Sequence, residues 1–459
     1  MVQQVAAPAG ALELRGFMQT LEAQGELQRI AATVDPHLEI AAITDRVCKG
    51  GGPALRFERV KGYSTPVLTN LFGSERRVAW ALGAETLAAA ADRMARALAM
   101  AGPGGGVERL RRALAAPALL SPRAMGRVSG AGGDLSLLPA LQSWPGDGGR
   151  YLTLPLVFTR DPETGRGNCG MYRVQLIAGD RAAIHWRPTS DAARHHAAWT
   201  KRGEAMPVAI VLGGPPALLW AAGVPLPAGA DETALAALLA GAPLPLSVCQ
   251  NSDLVVPTAC EAVLEGSVAP QATATEGPFG NHTGSYVPVS MAPLFRLHHL
   301  SRRADMLYPC TVVGPPPMED CYLARATERI LLPLLQVDLP EVVDVTMPLA
   351  TIFHGCALVA VRDAGDGRAL LAALWRSLLL KGAKLLVLVD ADCDLRRPDE
   401  VFWRVINGLD PQRDMVTVAG KIGIIATGRD LGPRVAVDAA TAELVARRWQ
   451  EYGLGGKVF

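Results

Sequence analysis

Two short runs and one scattered set of histidines hold most of the side chains able to do chemistry. The first run is Gly165-Arg-Gly-Asn168-Cys-Gly170-Met-Tyr-Arg173. Glycines around Asn168 let backbone approach a ligand closely, and Arg173 can grip a carboxylate or phosphate through two parallel N–H bonds. Spacing alone also allows a plain hairpin loop with an exposed arginine. The second run is Thr275-Glu276-Gly-Pro-Phe-Gly280-Asn281-His282-Thr283-Gly284. A turn this rich in Gly and Pro fixes its side-chain directions, which makes Glu276, Asn281 and His282 acid/base or hydrogen-bonding candidates. The plainer alternative is a tight loop whose glutamate faces water. The histidines are His185, His195, His196, His298, His299 and His354. None sits in an H-E-x-x-H pattern, so each alone reads more readily as a packed or surface residue than as a ligand. Asp390, Asp392 and Asp394 alternate after an apolar run but lack the glycine and closing glutamate of a calcium loop. They read as the mouth of a strand with a structural or interface role. No P-loop and no complete G-x-G-x-x-G follows a strand, so nucleotide-triphosphate and dinucleotide readings are weak.

The elements that must position these runs fall into three groups. Helical spacing at Gly16–Gln24, a helix, Gly-rich turn and strand within Leu38–Val60, a strand at Pro66–Asn70 and helices at Glu85–Met100 and Val107–Ala115 predict a small α/β unit. Leu119–Asp134 is weakly patterned and suits a boundary. Short strands then dominate: LTLPLVFTR, GMYRVQLIAG, AAIHWRP, PVAIVLGG, LPLSVCQ, LVVPTACEAVLEGSVAP and LFRLHHLSRRADMLYP, with helices at Ala192–Gly203 and Asp231–Leu239. That rhythm predicts a barrel or sandwich. Helices at Thr327–Gln336, Gly367–Lys381 and Pro398–Gly408 alternate with strands VVDVTMP, ALVAVR and KLLVLVDAD, which predicts a separate α/β domain. A helix over Ala439–Gly453 follows.

Composition narrows the function classes. The chain has 459 residues, 49% of them hydrophobic and 19% charged, which suits a globular protein of two or three domains. Lys plus Arg number 45 against 44 Asp plus Glu, so net charge gives no reason to expect nucleic acid or an anionic membrane as partner. The longest charge-free apolar stretch, Met206–Ala230, is interrupted by Pro207, Pro215, Pro216, Pro225 and Pro227, which argues against a membrane span. No secretory signal is evident, and the eight cysteines form no C-x-x-C pair; reduced thiols in the cytoplasm are expected.

Taken together, the N-x-G-x-Y-R type run at Asn168–Arg173, the E-G-P-F-G-x-H-T-G block at Glu276–Gly284 and the L-D-P-x-R-D block at Leu409–Asp414 resemble the UbiD family of decarboxylases, from about Leu14 to Gly455. The resemblance implies a mixed α/β (α+β) fold. An N-terminal α/β domain would span residues 1–118. A central split β-barrel, flavin-reductase-like and cofactor-binding, would span 119–305. A C-terminal α/β domain carrying the oligomer contacts of a dimer or hexamer would span 306–459. It also implies prenylated FMN, made by a separate flavin prenyltransferase, with its phosphate held through manganese and with potassium as a further ion.

Residue by residue, Asn168 and Glu232 match the family's metal ligands. Met171, Tyr172 and Arg173 match the segment against the flavin, His185, Trp186 and Arg187 a second contacting strand, and Ser190 and Asp191 a third contact. Arg173 and Glu276 match the catalytic acid network. Asn281, followed by His282, falls where many members carry a second acid. An amide does not titrate, so Glu276, His282 or a water would have to supply the proton. Thr189 stands where many members carry a His, with Asp191 as a candidate substitute. The activity implied is reversible, non-oxidative decarboxylation of an aromatic, heteroaromatic (for example furan-type) or α,β-unsaturated acid. Leu297–Arg303 and Ile352–His354 are the pocket-facing candidates, with His298, His299, Arg302, Arg303 and His354 as polar substrate contacts. A non-catalytic subunit or scaffold and a plain FMN-binding oxidoreductase are the alternatives.

Overall fold

The computed structural model describes residues 10–115, 134–352, 354–428 and 435–453. The expected boundary near Leu119, Phe353 and the Gly455-Gly456 end fall outside these residues. The chain opens with α1 (Leu14–Ala23), β1 (Leu27–Val34), α2 (Glu39–Lys49), β2 (Ala54–Val60), β3 (Val67–Thr69), α3 (Glu75–Ala81), α4 (Leu87–Met100) and α5 (Gly106–Leu114). In α4 the buried residues Leu87, Ala90, Met94 and Leu98 recur at helical spacing, and the Thr86 hydroxyl accepts from the Ala89 N–H to cap the start. Sequence periodicity did not reveal β1, whose residues are mostly exposed, or α3, a two-turn helix.

The middle of the chain builds one antiparallel sheet of eight strands. In chain order they are β4 (Tyr151–Leu152), β5 (Leu156–Arg160), β6 (Gly167–Gly170), β7 (Val174–Ala178), β8 (Arg181–Ile184), β9 (Met206–Leu212), β12 (Ala262–Glu276) and β15 (Ser290–Arg302). Their order in space is β4-β7-β8-β15-β12-β9-β5-β6. Two small hairpins sit beside it, β10 (Leu246–Val248) with β11 (Val255–Pro257), and β13 (Phe279–Gly280) with β14 (Tyr286–Val287). The apolar Met206–Ala230 stretch divides into β9 and a short helix α7 (Pro216–Ala221), because Gly213 takes a positive φ and Pro216 opens the helix. Helix α6 (Asp191–Arg202) starts on the Ser190 cap, and α8 (Glu232–Ala240) on Asp231, whose carboxylate accepts from Thr233 and Ala234.

After β15 the chain returns to the first sheet. Strand β16 (Tyr308–Pro309) pairs in parallel with β3, completing the order β1-β2-β3-β16. Helix α9 (Glu319–Asp338) packs on α3, α4 and α5. It is twice the length expected, running through Pro333, because its tertiary contacts outweigh the local proline signal. The first and middle regions thereby share their cores. Phe72 and Trp220 belong to one buried cluster, Phe57 and Phe295 to another.

The last region has its own mixed sheet of β17 (Val342–Thr346), β18 (Cys356–Val361), β19 (Leu385–Asp390), β20 (Met415–Val418) and β21 (Lys421–Ala426), ordered β17-β18-β19-β21-β20. Helices α10 (Gly367–Leu374), α11 (Pro398–Gly408) and the short α12 (Pro411–Asp414) connect these strands, and α13 (Ala439–Arg448) follows. Helix α10 stops before the expected Lys381 because the Ser377 hydroxyl takes the Leu374 carbonyl and turns the chain. All eight cysteines are free thiols. No helix of the described residues is long and apolar enough to cross a membrane.

Candidate active site

Glu276 closes β12 and is fully buried; its turn begins only after it. Arg173 lies in the connector between β6 and β7. The two form a bidentate pair, with Nε donating to Oε1 at 2.8 Å and Nη2 to Oε2 at 2.9 Å. His185, at the end of β8, brings Nδ1 within 3.1 Å of Glu276 Oε2 and 3.2 Å of Arg173 Nη2. The Arg173 guanidinium also stacks 4.6 Å from the Phe279 ring centroid. Burial pushes the Glu276 carboxyl upward, but the hydrogen bonds from His185 and Arg173 and their charges win, so its pKa falls to about 2.

The Glu276–Gly280 turn is held from behind by residues that the sequence did not single out. Gln175 on β7 accepts from the Gly277 N–H at 2.8 Å and donates to the Gly148 carbonyl at 2.8 Å. Asp147 accepts from Gly280 N at 2.8 Å, from Trp144 N at 2.8 Å and from Ser143 N at 3.1 Å. Tyr151 donates to the Pro278 carbonyl and packs its ring 4.7 Å from Phe279. Gly277 sits at φ 99°, and a Cβ on Gly148 would lie 2.1 Å from the Gly277 oxygen, so glycine is required at both. Gln175 carries no motif and lies far away in sequence, so nothing local marks it.

Asn281 is turned into its own loop, where Oδ1 accepts from the Thr283 N–H at 2.9 Å and the Thr283 hydroxyl at 2.6 Å. His282 instead meets His354 from the last region, ring centroids 5.4 Å apart and nearly perpendicular at 76°. Burial, His354 and the Arg187 charge hold His282 down at about 4. The structure separates His354 from the other expected substrate contacts. Glu276 pairs with Ser290, whereas Glu265 pairs with His299 and Ala262 with Arg302. At about 3.3 Å per residue, nine residues of strand put His299 roughly 30 Å along β15 from the Glu276 end. His298 bonds Ser267, His299 bonds Ser301, and Arg303 pairs with Asp305. These positions serve the far end of the strand pair and not the Glu276 site. His195 is likewise structural, bonded through Nδ1 to Thr159.

A second cluster forms where β6 meets the starts of α6 and α8. Asn168 and Glu232 are both buried there. Glu232 accepts from the Cys169 N–H at 3.0 Å, and no cation pairs with it among the described residues. Burial, reinforced by Asp231 and Asp191, lifts its carboxyl to about 8. The Asn168 amide nitrogen is buried without a partner. Tyr172 sits beside Asn168 and Ser190, and its ring meets Trp186 edge-on at 6.4 Å. Met171 is half-buried, its N–H on the Ala222 carbonyl. Asp191 pairs with Arg194, and Thr189 is exposed with its carbonyl taken by Arg194. No group of three or more His, Cys, Asp or Glu side chains converges as a metal cage among the described residues. The Asp390, Asp392 and Asp394 carboxylates cap backbone or pair with Arg404, as a strand mouth would.

The chain matches the models of three successive domains of 3-octaprenyl-4-hydroxybenzoate carboxy-lyase: the N-terminal domain over residues 18–98, the Rift-related domain over 121–316 and the C-terminal domain over 321–439. It is 38% identical to an uncharacterised protein of Archaeoglobus fulgidus, covering 96% of this chain and 98% of that one. It is 39% identical to one of Aquifex aeolicus, covering 96% and 93%. Among solved structures it is similar to an evolved dimeric form of the UbiD-class enzyme HmfF from Pelotomaculum thermopropionicum in complex with prFMN, with a TM-score of 0.78 at 27% identity over 94% of this chain and 98% of that one. The closed form of Sedimentibacter hydroxybenzoicus vanillic acid decarboxylase shares the fold, with a TM-score of 0.78 at 24% identity over 96% and 99%. With all three domain models matched in order, and the Arg173–Glu276 pair formed inside the segment that matches the Rift-related domain, this chain belongs to the UbiD family of carboxy-lyases.

Proposed function

We propose that this protein is a prenylated-FMN-dependent decarboxylase of an aromatic, heteroaromatic or α,β-unsaturated carboxylic acid, able to run in reverse at high CO₂. The observation that carries the reading is the Arg173–Glu276–His185 cluster around the fully buried Glu276, together with a buried Glu232 that has no cation among the described residues. Losing CO₂ from an sp² carbon leaves an electron pair that no amino-acid side chain can hold. Prenylated FMN, when bound, supplies the sink for that pair. We take the eight-stranded sheet as the split barrel that holds it.

The donors fit a cation. Glu232 is a buried carboxylate in need of positive charge, and Asn168 offers an amide oxygen next to it, a hard oxygen set suited to manganese. These two would hold the ion, with cofactor phosphate and potassium completing the site and Asp191 nearby. Tyr172, Trp186 and Ser190 would line the flavin.

The chain's own groups then divide the work. Arg173 spends Nε and Nη2 on Glu276 and keeps Nη1 for the substrate carboxylate. Glu276 fixes that guanidinium and, because its pKa is so low, rests as a carboxylate. The proton that replaces CO₂ comes from water by way of the half-exposed His185 and the Glu276 oxygen it touches. Asn281 shapes the loop and takes no proton.

Expression with and without a flavin prenyltransferase, in the absence of air, tests the reading by bound-flavin mass, absorbance and metal content. A prenylated flavin with manganese only in the co-expressed sample supports it. A folded, empty protein in both samples would favour the scaffold alternative, and unmodified FMN with redox activity the oxidoreductase one. The partners proposed with this reading are a small-molecule acid as substrate, a flavin prenyltransferase as supplier of the cofactor and a second copy of the chain.

A further inference from the structure

The indole of Trp144 lies between Gly280, which ends the Glu276 turn, and Gly314, on the linker from β16 into α9. A Cβ on Gly280 would come within 2.4 Å of Trp144 Cδ1, and a Cβ on Gly314 within 2.5 Å of Trp144 Cζ2. Packed atoms do not approach that closely, so the ring fills the gap between two bare backbones from one edge to the other. Its Nε1–H donates to the Val313 carbonyl at 2.8 Å. Its backbone N–H shares the Asp147 carboxylate with the Gly280 N–H, each bond 2.8 Å long. Trp144 is thus tied to the linker by its side chain and to the turn by its backbone. Beside Gly280 in β13 is Phe279, whose ring faces the Arg173 guanidinium that pairs with Glu276. The linker is anchored in turn. Glu319, the first residue of α9, accepts from the Phe72 N–H at 3.0 Å. Further along α9, Glu328 accepts from the Met347 N–H at 2.6 Å, and Arg329 donates to Asp344 of β17 at 2.5 Å. A continuous packed path therefore joins the first strand of the last region to Gly280, and one aromatic ring completes it.

We propose that Trp144 is a positioning residue: it wedges the Glu276 turn against the linker into α9 and so makes the Arg173–Glu276 geometry depend on how that linker is seated. The inference rests on the decarboxylase reading for what the pair does, and deepens it. Trp144 acts through Gly280 and Phe279 and has no part in the chemistry itself. Gln175 and Asp147 hold the turn from the sheet side, whereas the indole brings in the linker. A displaced ring moves β13, and with it the aromatic face under Arg173. A bidentate Arg–carboxylate pair tolerates little displacement, because both bonds need the two planes aligned. Loosening it would cost Glu276 the donors that hold its carboxyl down, and the carboxyl would titrate closer to its ordinary range.

The test pushes the wedge from the linker side. Gly314→Ala adds one methyl against the indole, touches no residue of the turn, and strains no backbone, since Gly314 does not take a positive φ. Trp144→Phe shortens the ring and makes room for that methyl. The full-length wild type, Gly314→Ala and the double variant are compared in two ways. In cofactor-loaded protein, turnover per bound flavin should fall about tenfold in Gly314→Ala, in line with the cost of small misplacements near the chemistry. KM should stay within about twofold, as expected when the loss is confined to the transition state. In cofactor-free protein, infrared spectra at about pH 4 should show a protonated carboxyl band in Gly314→Ala, assigned by its loss on adding Glu276→Gln, and none in the wild type. The double variant should recover most of the turnover and lose the band. Gly314→Ala with wild-type turnover, without the band, or with losses that Trp144→Phe does not relieve overturns the proposal. Should circular dichroism show Gly314→Ala to be unfolded, Trp144→Leu decides by the same two readings, and wild-type values for both overturn it. The infrared reading needs neither cofactor nor substrate, and flavin mass and metal content report on the decarboxylase reading, so a failed wedge and a failed function are told apart.

Discussion

Glu276 and Glu232 are both buried glutamates in the central region, and their surroundings push them in opposite directions. Glu276 is ringed by donors supplied by the fold and falls to about 2. Glu232 receives one backbone N–H, faces further carboxylates and rises to about 8. The first cluster is complete as protein alone. The second has no positive partner among the described residues, and it is there that we propose the cation binds. Burial raises the pKa in both cases; the presence or absence of a cation decides the outcome.

The largest effect expected from breaking this contrast is catalytic. Glu276→Gln removes the charge that fixes Arg173 and the last protonatable oxygen on the proposed route from His185. Turnover should fall by about 10²–10⁴-fold, the range for removing a positioned acid/base group. Flavin and metal content should stay at wild-type levels. Undiminished turnover would remove Glu276 from the proton route.

Glu232→Gln should do the reverse. Cofactor and manganese retention should drop by at least tenfold, by analogy with losses of 10–100-fold when even supporting partners of a metal are changed. The cofactor-free variant should unfold at an equal or higher denaturant concentration than the wild type, because a costly buried carboxylate has been replaced by an amide of the same shape. Metal analysis and urea unfolding of the two proteins measure both halves. Destabilisation without loss of metal would show that Glu232 is a structural cap.

The third expectation concerns acid. The Glu276 pKa lies below its ordinary 4.5 in the folded protein, so the pairing stabilises the fold fully above about pH 4.5 and is lost as pH falls toward about 2. A shift of that size corresponds to about 3 kcal/mol at roughly 1.36 kcal/mol per unit. Urea midpoints taken from pH 6 down to pH 3 should therefore converge between wild type and Glu276→Gln. A constant difference across that range would mean that the carboxylate is not held down by Arg173 and His185.

What could be read from the sequence follows from how local each signal is. The Asn168–Arg173 and Glu276–Gly284 runs are compact, and the structure joins Arg173 to Glu276, a pairing that only the family resemblance implied, as it alone implied a role for Glu232. The strand rhythm of the middle and last regions was also visible, because alternation and helical spacing are short-range. Register was not. The basic residues of β15 look close to the site in sequence order, yet a thirteen-residue strand carries them to its far end. The contact of His185 with Glu276 was not foreseen, because the neighbour of a strand end depends on β8 pairing with β7 and β15. Helix α7 was hidden in a run apolar on every side, since all of its residues are buried and no face alternates.

Gln175 separates the two glutamate environments at the finest scale. It touches no proposed substrate or cofactor atom, yet it holds the Gly277 N–H and the Gly148 carbonyl that set where Glu276 points. Gln175→Leu keeps the bulk and leaves both backbone groups without partners, a cost of about 1–3 kcal/mol each. Turnover should fall by about tenfold through a displaced Glu276, consistent with the sensitivity of catalysis to misplacements on the order of 1 Å. Metal content, governed by the other cluster, should not change. Gln175→Glu divides the effect further, since it keeps an acceptor for Gly277 and removes the donor to Gly148. If Gln175→Glu recovers most of the turnover lost in Gln175→Leu, the Gly277 bond is the one that positions Glu276. Loss of metal in either variant would mean that the two clusters are mechanically coupled through β7, and the independence of the two glutamates would have to be given up.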